Sequence, residues 1–113
     1  MAEGQSSQQD RKWHERRRGP RLNSSVLVKL EWEANDAARA RAEARTKIVG
    51  PYGCMVVIPH DLELDQHVHV TNMLNKQGAA GAVVWRGKKR FEGWEYGIEL
   101  INPEMNFWGM DLQ

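Results

Sequence analysis

Apolar and polar residues alternate with a period of two along much of the chain. In Ser25-Val26-Leu27-Val28-Lys29-Leu30-Glu31-Trp32-Glu33, the residues Val26, Val28, Leu30 and Trp32 fall on one face, opposite Leu27, Lys29, Glu31 and Glu33. Successive side chains of a strand point to opposite faces, so this stretch predicts a half-buried first strand. Asn35-Asp36 marks the turn behind it. Cys54 to Ile58 is short and wholly apolar, the pattern of a strand buried on both faces. Pro59-His60-Asp61 breaks it, and Gln66 to Thr71 alternates again before a turn region from Asn72 to Gly78. Ala79 to Trp85 predicts another strand, with Gly81 marking a bulge or a close backbone approach. Trp94 to Leu100 predicts the last.

Between these elements the punctuation is strong. Gly50-Pro51-Tyr52-Gly53 is a tight turn, and Arg86 to Gly93 is a polar hairpin loop carrying Lys88, Lys89 and Arg90. Asn102-Pro103 stops the final strand, and Pro103 to Gly109 predicts one helical turn with Asn102 as its cap and Phe107 and Trp108 as an aromatic plug. Ala37 to Arg45 is ambiguous. Its alanines and charged residues favour helix on propensity, yet Ala38, Ala40, Ala42 and Ala44 alternate with Arg39, Arg41, Glu43 and Arg45 as a strand would. Five or six short strands at spacings of about ten residues predict an all-β fold, a small antiparallel barrel that is closed or nearly so.

Composition narrows the class. The chain has 113 residues, 41% of them hydrophobic, and a net charge of +1. That is one domain with a modest core and without the global field of a non-specific nucleic-acid binder. The first dozen residues are polar and Gln/Ser-rich, which predicts a disordered tail over 1–14 ahead of a barrel domain over 15–113. Trp13 is the one large aromatic in that company. Cys54 is the only cysteine, so an intrachain disulfide is excluded and a reducing, cytoplasmic setting is expected. No apolar run approaches the roughly 20 residues of a membrane-spanning helix.

The charge is uneven, and this is where chemistry enters. Arg16, Arg17, Arg18 and Arg21 crowd into one stretch interrupted by Gly19-Pro20, where a helix cannot continue. On an extended arm each guanidinium is able to make bidentate hydrogen bonds to a phosphate or to the O6/N7 edge of guanine. The alternative reading is a solvated charge run.

Taken in order, these features resemble the PilZ domain family. Arg17-Arg18-Gly19-Pro20-Arg21 matches the family's RxxxR motif through Arg17 and Arg21. Thr46-Lys47-Ile48-Val49-Gly50-Pro51-Tyr52-Gly53-Cys54 stands where the facing strand and turn belong. Ala82-Val83-Val84-Trp85 and Glu95-Tyr96-Gly97-Ile98-Glu99-Leu100 resemble the closing strand pair, and Asn106-Phe107-Trp108-Gly109 resembles the ending of a subgroup. The resemblance implies a six-stranded β-barrel, with Ala37 to Arg45 as a strand. It implies a regulatory or sensor role in bacterial second-messenger signalling, with cyclic di-GMP bound by Arg17, Arg18, Arg21 and Gly53. The family's second motif, Asp/Asn-x-Ser-x-x-Gly, is degenerate. With its glycine on Gly53, Gly50 stands at the serine and Ile48 at the Asp/Asn position. Neither supplies a polar contact, and each unpaired buried ligand group costs about 1–3 kcal/mol.

Two functional classes follow. One is the nucleotide sensor. The other is an adaptor of the same fold that binds a protein through Trp13, Trp94, Phe107 and Trp108, against which stands the reading of these aromatics as core and plug. A nucleic-acid site built from the arm and Lys88-Lys89-Arg90 lacks an aromatic stacking platform. His60, His67 and His69 do not have the spacing of a metal motif, and strand histidines are more often solvated. With no nucleophile motif and no phosphate-binding glycine loop opening a helix, the chain reads as a non-enzyme without a cofactor.

Overall fold

The alternation in the first strand is realised as a buried row. Val28 and Leu30 are fully buried and Val26 and Trp32 nearly so, while Glu33 is exposed and Lys29 and Glu31 half-exposed. The structure, a computed structural model, describes residues 21–34 and 36–109. The predicted tail over 1–14, Trp13, and Arg17 and Arg18 of the arm lie outside the described residues.

Seven strands form one antiparallel sheet: β1 (Leu27–Glu33), β2 (Arg39–Arg45), β3 (Ile48–Gly50), β4 (Gly53–Ile58), β5 (His67–Asn72), β6 (Gln77–Arg90) and β7 (Gly93–Ile101). Their order across the sheet is β2-β1-β5-β6-β7-β4-β3. The sheet curls strongly into a half-barrel, with β2 and β3 as its two edge strands and β2 approaching β4 across the interior. The six-stranded barrel is therefore corrected to a seven-stranded half-barrel. Ile48–Gly50 pairs with β4 as a strand of its own.

Two further corrections have physical causes. Arg86 to Arg90 is strand rather than loop, because β6 and β7 continue their pairing through Arg86↔Tyr96, Lys89↔Trp94 and Arg90↔Gly93, past irregularities at Val83/Trp85 and Arg86/Lys89. Only Phe91 and Glu92 turn the hairpin. Among the described residues there is no helix. The C-terminal segment makes two separate turns, with Phe107 N–H donating to Glu104 O and Gly109 N–H to Asn106 O, at 3.0 Å each. Asn102 has φ +49°, a left-handed conformation rather than the extended one of a helix cap.

The plug itself is present. Phe107 and Trp108 are buried with their rings edge to face at 4.9 Å, and Asn72 Nδ2 and Asn75 Nδ2 both donate to Phe107 O, at 2.9 and 3.1 Å. In β2, strand geometry prevails over helix propensity because all seven residues pair with β1. Ala40, Ala42 and Ala44 then lie against the core while Arg39, Arg41, Glu43 and Arg45 stay exposed.

Candidate functional site

The site is built from the outer face of three strands and the chain that enters beside them. Leu22 forms an antiparallel bridge with Val49, N–H to O in both directions at 2.9 Å. Antiparallel register places Arg21 level with Gly50, on the side of the sheet away from the buried Val49. The entry path is fixed from below by Thr46, whose Oγ1 donates to Ser24 O and accepts from Val26 N–H. Leu22, Ser24 and Val26 are thereby held beside Thr46 to Val49, with Arg21 at the level of the Gly50–Gly53 turn.

That turn closes as the sequence predicts, with Gly50 paired to Gly53 across Pro51-Tyr52. Gly53 is paired in turn to Glu99 of β7. A Cβ on Gly53 would overlap the carbonyl oxygen of Ile98, so glycine is required there by the approach of β7. Gly50 O accepts the Trp108 indole N–H at 2.8 Å, which ties the C-terminal plug to the same turn.

Register across β3, β4 and β7 sets out the floor. One outer row runs Gly50, Gly53, Glu99 and the next Ile48, Met55, Gly97. Three of these six positions are glycine, two carry apolar side chains, and Glu99 alone carries a charge. Ile48 is half-buried beside Met55 and offers nothing to a polar ligand, as its residue type implies. Arg21 is exposed at one side of this floor and Glu99 half-buried at the other. Glu99 was not legible as a site residue: its membership comes from register with Gly53, which no local pattern encodes.

The other sequence candidates lie elsewhere. Lys88, Lys89 and Arg90 belong to the β6–β7 hairpin, six residues along β7 from the level of Gly53, or about 20 Å. There Lys89 Nζ sits 4.8 Å from the Trp94 ring, and Arg90 pairs with the buried Glu95 carboxylate, which also accepts from Lys88 N–H. Arg86 binds Asp61 at 2.5 Å and Leu62 O at 3.2 Å. This is a structural network at the opposite end of the sheet from Arg21. Trp94 is half-buried, and Phe107 and Trp108 are core, so these three are packing aromatics.

His67 and His69 are exposed on β5, with His69 Nδ1 3.9 Å from Glu31, while His60 meets the Trp32 ring edge on at 5.2 Å. Cys54 is buried, and desolvation lifts its thiol from the ordinary 9.0 to about 12. Tyr96 is also raised, chiefly by burial; its hydroxyl accepts from Leu62 N–H and donates to His60 O, holding the β4–β5 loop. No helix among the described residues is long and apolar enough to cross a membrane. Comparisons with protein-family profiles, with curated proteins and with solved structures found no match.

Proposed function

We propose that the chain is a PilZ-type regulatory module that binds cyclic di-GMP between its arginine arm and the Gly50–Gly53 turn. The observation that carries this reading is the Leu22–Val49 bridge, which brings Arg21 level with Gly50 at the turn that the family resemblance pairs with the arm. Arg17 and Arg21 supply bidentate donors to phosphate or to the guanine O6/N7 edge, and Arg18 adds a third cation. Binding orders the arm against the turn, and that ordering is the signal.

Calorimetric titration of the purified protein with cyclic di-GMP, beside the Arg17→Ala/Arg21→Ala double variant, tests the reading. Micromolar or tighter binding that the double variant loses supports it. Absence of heat up to millimolar ligand overturns it. The adaptor reading would then stand, but Trp94, Phe107 and Trp108 are committed to packing, so it would have to rest on other residues.

A further inference from the structure

The sheet ends on an open strand. β2 lies last in the strand order and, among the described residues, pairs with β1 alone. The bonds that flank this ladder, Ala34 N–H to Ala38 O at 2.8 Å and Thr46 N–H to Val26 O at 3.0 Å, join even-numbered residues. Bonded positions alternate along an antiparallel pair, so Ala40, Ala42 and Ala44 turn their backbone groups to β1. Arg39, Arg41, Glu43 and Arg45 turn theirs to the edge. That edge is taken up at Lys47, whose N–H donates to Met55 O at 2.8 Å. We infer that the β2 edge docks an extended segment of a partner protein as an added strand, one that alternates apolar residues with mainly acidic ones. Such docking is independent of nucleotide binding, and these are residues on which a protein-binding role can rest.

Side chains define the occupant. Arg39, Arg41, Glu43 and Arg45 are exposed on the outer face, and no ion pair among the described residues engages them. Their complement is visible in β1, where Glu33, Glu31 and Lys29 stand opposite Arg39, Arg41 and Glu43. Directly opposite residues of unlike charge stabilise a sheet, and like charges oppose it. A docked strand with acids opposite the three arginines and a base opposite Glu43 repeats on the open side the order that β1 keeps on the closed one. On the inner face, Ala40, Ala42 and Ala44 lie against the core yet stay half-exposed. Apolar residues of the added strand pack beside these small side chains.

A second copy of β2 fits this edge poorly. Antiparallel self-pairing about Ala42 sets Arg39 against Arg45, about Arg41 it sets that residue against itself, and about Glu43 it sets Arg41 against Arg45. Charged edges of this kind keep like chains apart, while their backbone groups stay open to a strand of opposite charge. Backbone bonds then give the affinity, and the alternate side chains give the specificity.

The probe is the synthetic peptide Glu-Val-Lys-Val-Glu-Val-Glu. Aligned antiparallel to β2, it puts Glu opposite Arg45, Arg41 and Arg39 and Lys opposite Glu43. Its charge-reversed counterpart is Lys-Val-Glu-Val-Lys-Val-Lys. In the free full-length protein, the amides of Arg39, Arg41, Glu43 and Arg45 should exchange fast and those of Ala40, Ala42 and Ala44 slowly. The first peptide should shift and protect the fast set along one saturating curve, and the reversed peptide should bind about tenfold or more weakly. Arg39→Glu/Arg41→Glu should invert that preference, an outcome that lost stability does not produce. Should the double variant fail to fold, Arg45→Glu, which faces Leu27 rather than a carboxylate, should narrow the preference. A preference unchanged in the folded variant, shifts centred on another strand, or none up to millimolar peptide would overturn the inference. Protection of the fast set in the free protein would overturn it too.

Discussion

Gly53 of β4 lies so close to β7 that a Cβ on it would overlap the carbonyl oxygen of Ile98. The glycine that the family resemblance assigns to ligand binding is thus demanded by sheet pairing before any ligand is considered. Gly53→Ala should destabilise the protein by about 1–3 kcal/mol in urea denaturation, because the obstacle is backbone and has no rotamer to move. Gly78→Ala is the contrast. There the nearest atom is Cε1 of the exposed His69 ring at 2.6 Å, which swings aside, and the change should stay within about 0.5 kcal/mol.

Thr46 should matter to the site without touching it. Its hydroxyl satisfies the buried Val26 N–H and donates to Ser24 O, fixing the chain that delivers Arg21. Thr46→Val keeps the shape and strands both groups, at a cost of about 1–3 kcal/mol. Amide exchange at Val26 and Leu22 should accelerate in the variant, while exchange in the β6–β7 hairpin should not change beyond the global loss.

The C-terminal plug contributes packing and one hydrogen bond to the turn. Trp108→Ala should cost about 3–5 kcal/mol by opening a cavity at the Phe107 ring. Trp108→Phe should cost less, and should leave Gly50 O without its indole donor. In that milder variant, chemical-shift changes centred on Gly50 and Gly53 would confirm that the plug supports the turn.

Alkaline pH should weaken the fold through Cys54. Its thiol is held protonated to about pH 12 in the folded chain, against 9.0 ordinarily, so above pH 9 the unfolded chain releases a proton that the folded one keeps. Fewer protons bound to the unfolded state means that stability falls as pH rises, by about 1.4 kcal/mol per pH unit between those values. Cys54→Ala should flatten the slope in that window, and the native thiol should resist a disulfide reagent at neutral pH. A Cys54 that reacts at the rate of a free thiol would contradict its burial.

The strands with one wet face were legible because their burial has the period of their sequence: Val28, Leu30 and Trp32 in β1, and Val68 and Val70 in β5, all point inward. The Gly50–Gly53 turn was legible for its glycines and proline. The distal β6–β7 hairpin was not, since its two strands satisfy each other's backbone groups beyond the core, where Lys88 to Arg90 need no apolar partner. The C-terminal turns read as helix because Asn-Pro is a plausible cap; burial of Phe107 and Trp108 and the positive φ of Asn102 prevail instead. Of the site, the arm and the turn carry local signals. Glu99 does not, because its place beside Gly53 is a matter of pairing between strands about 46 residues apart.

The central claim is that one ligand joins the arginine arm to the Gly50–Gly53 turn, and heteronuclear NMR with cyclic di-GMP tests it most directly. On titration, the amides of Arg21, Gly50, Gly53 and Glu99 should shift together along one binding curve. Those of Lys88 to Phe91, at the other end of the sheet, should stay in place. Shifts confined to the hairpin, or none up to millimolar ligand, would contradict the account.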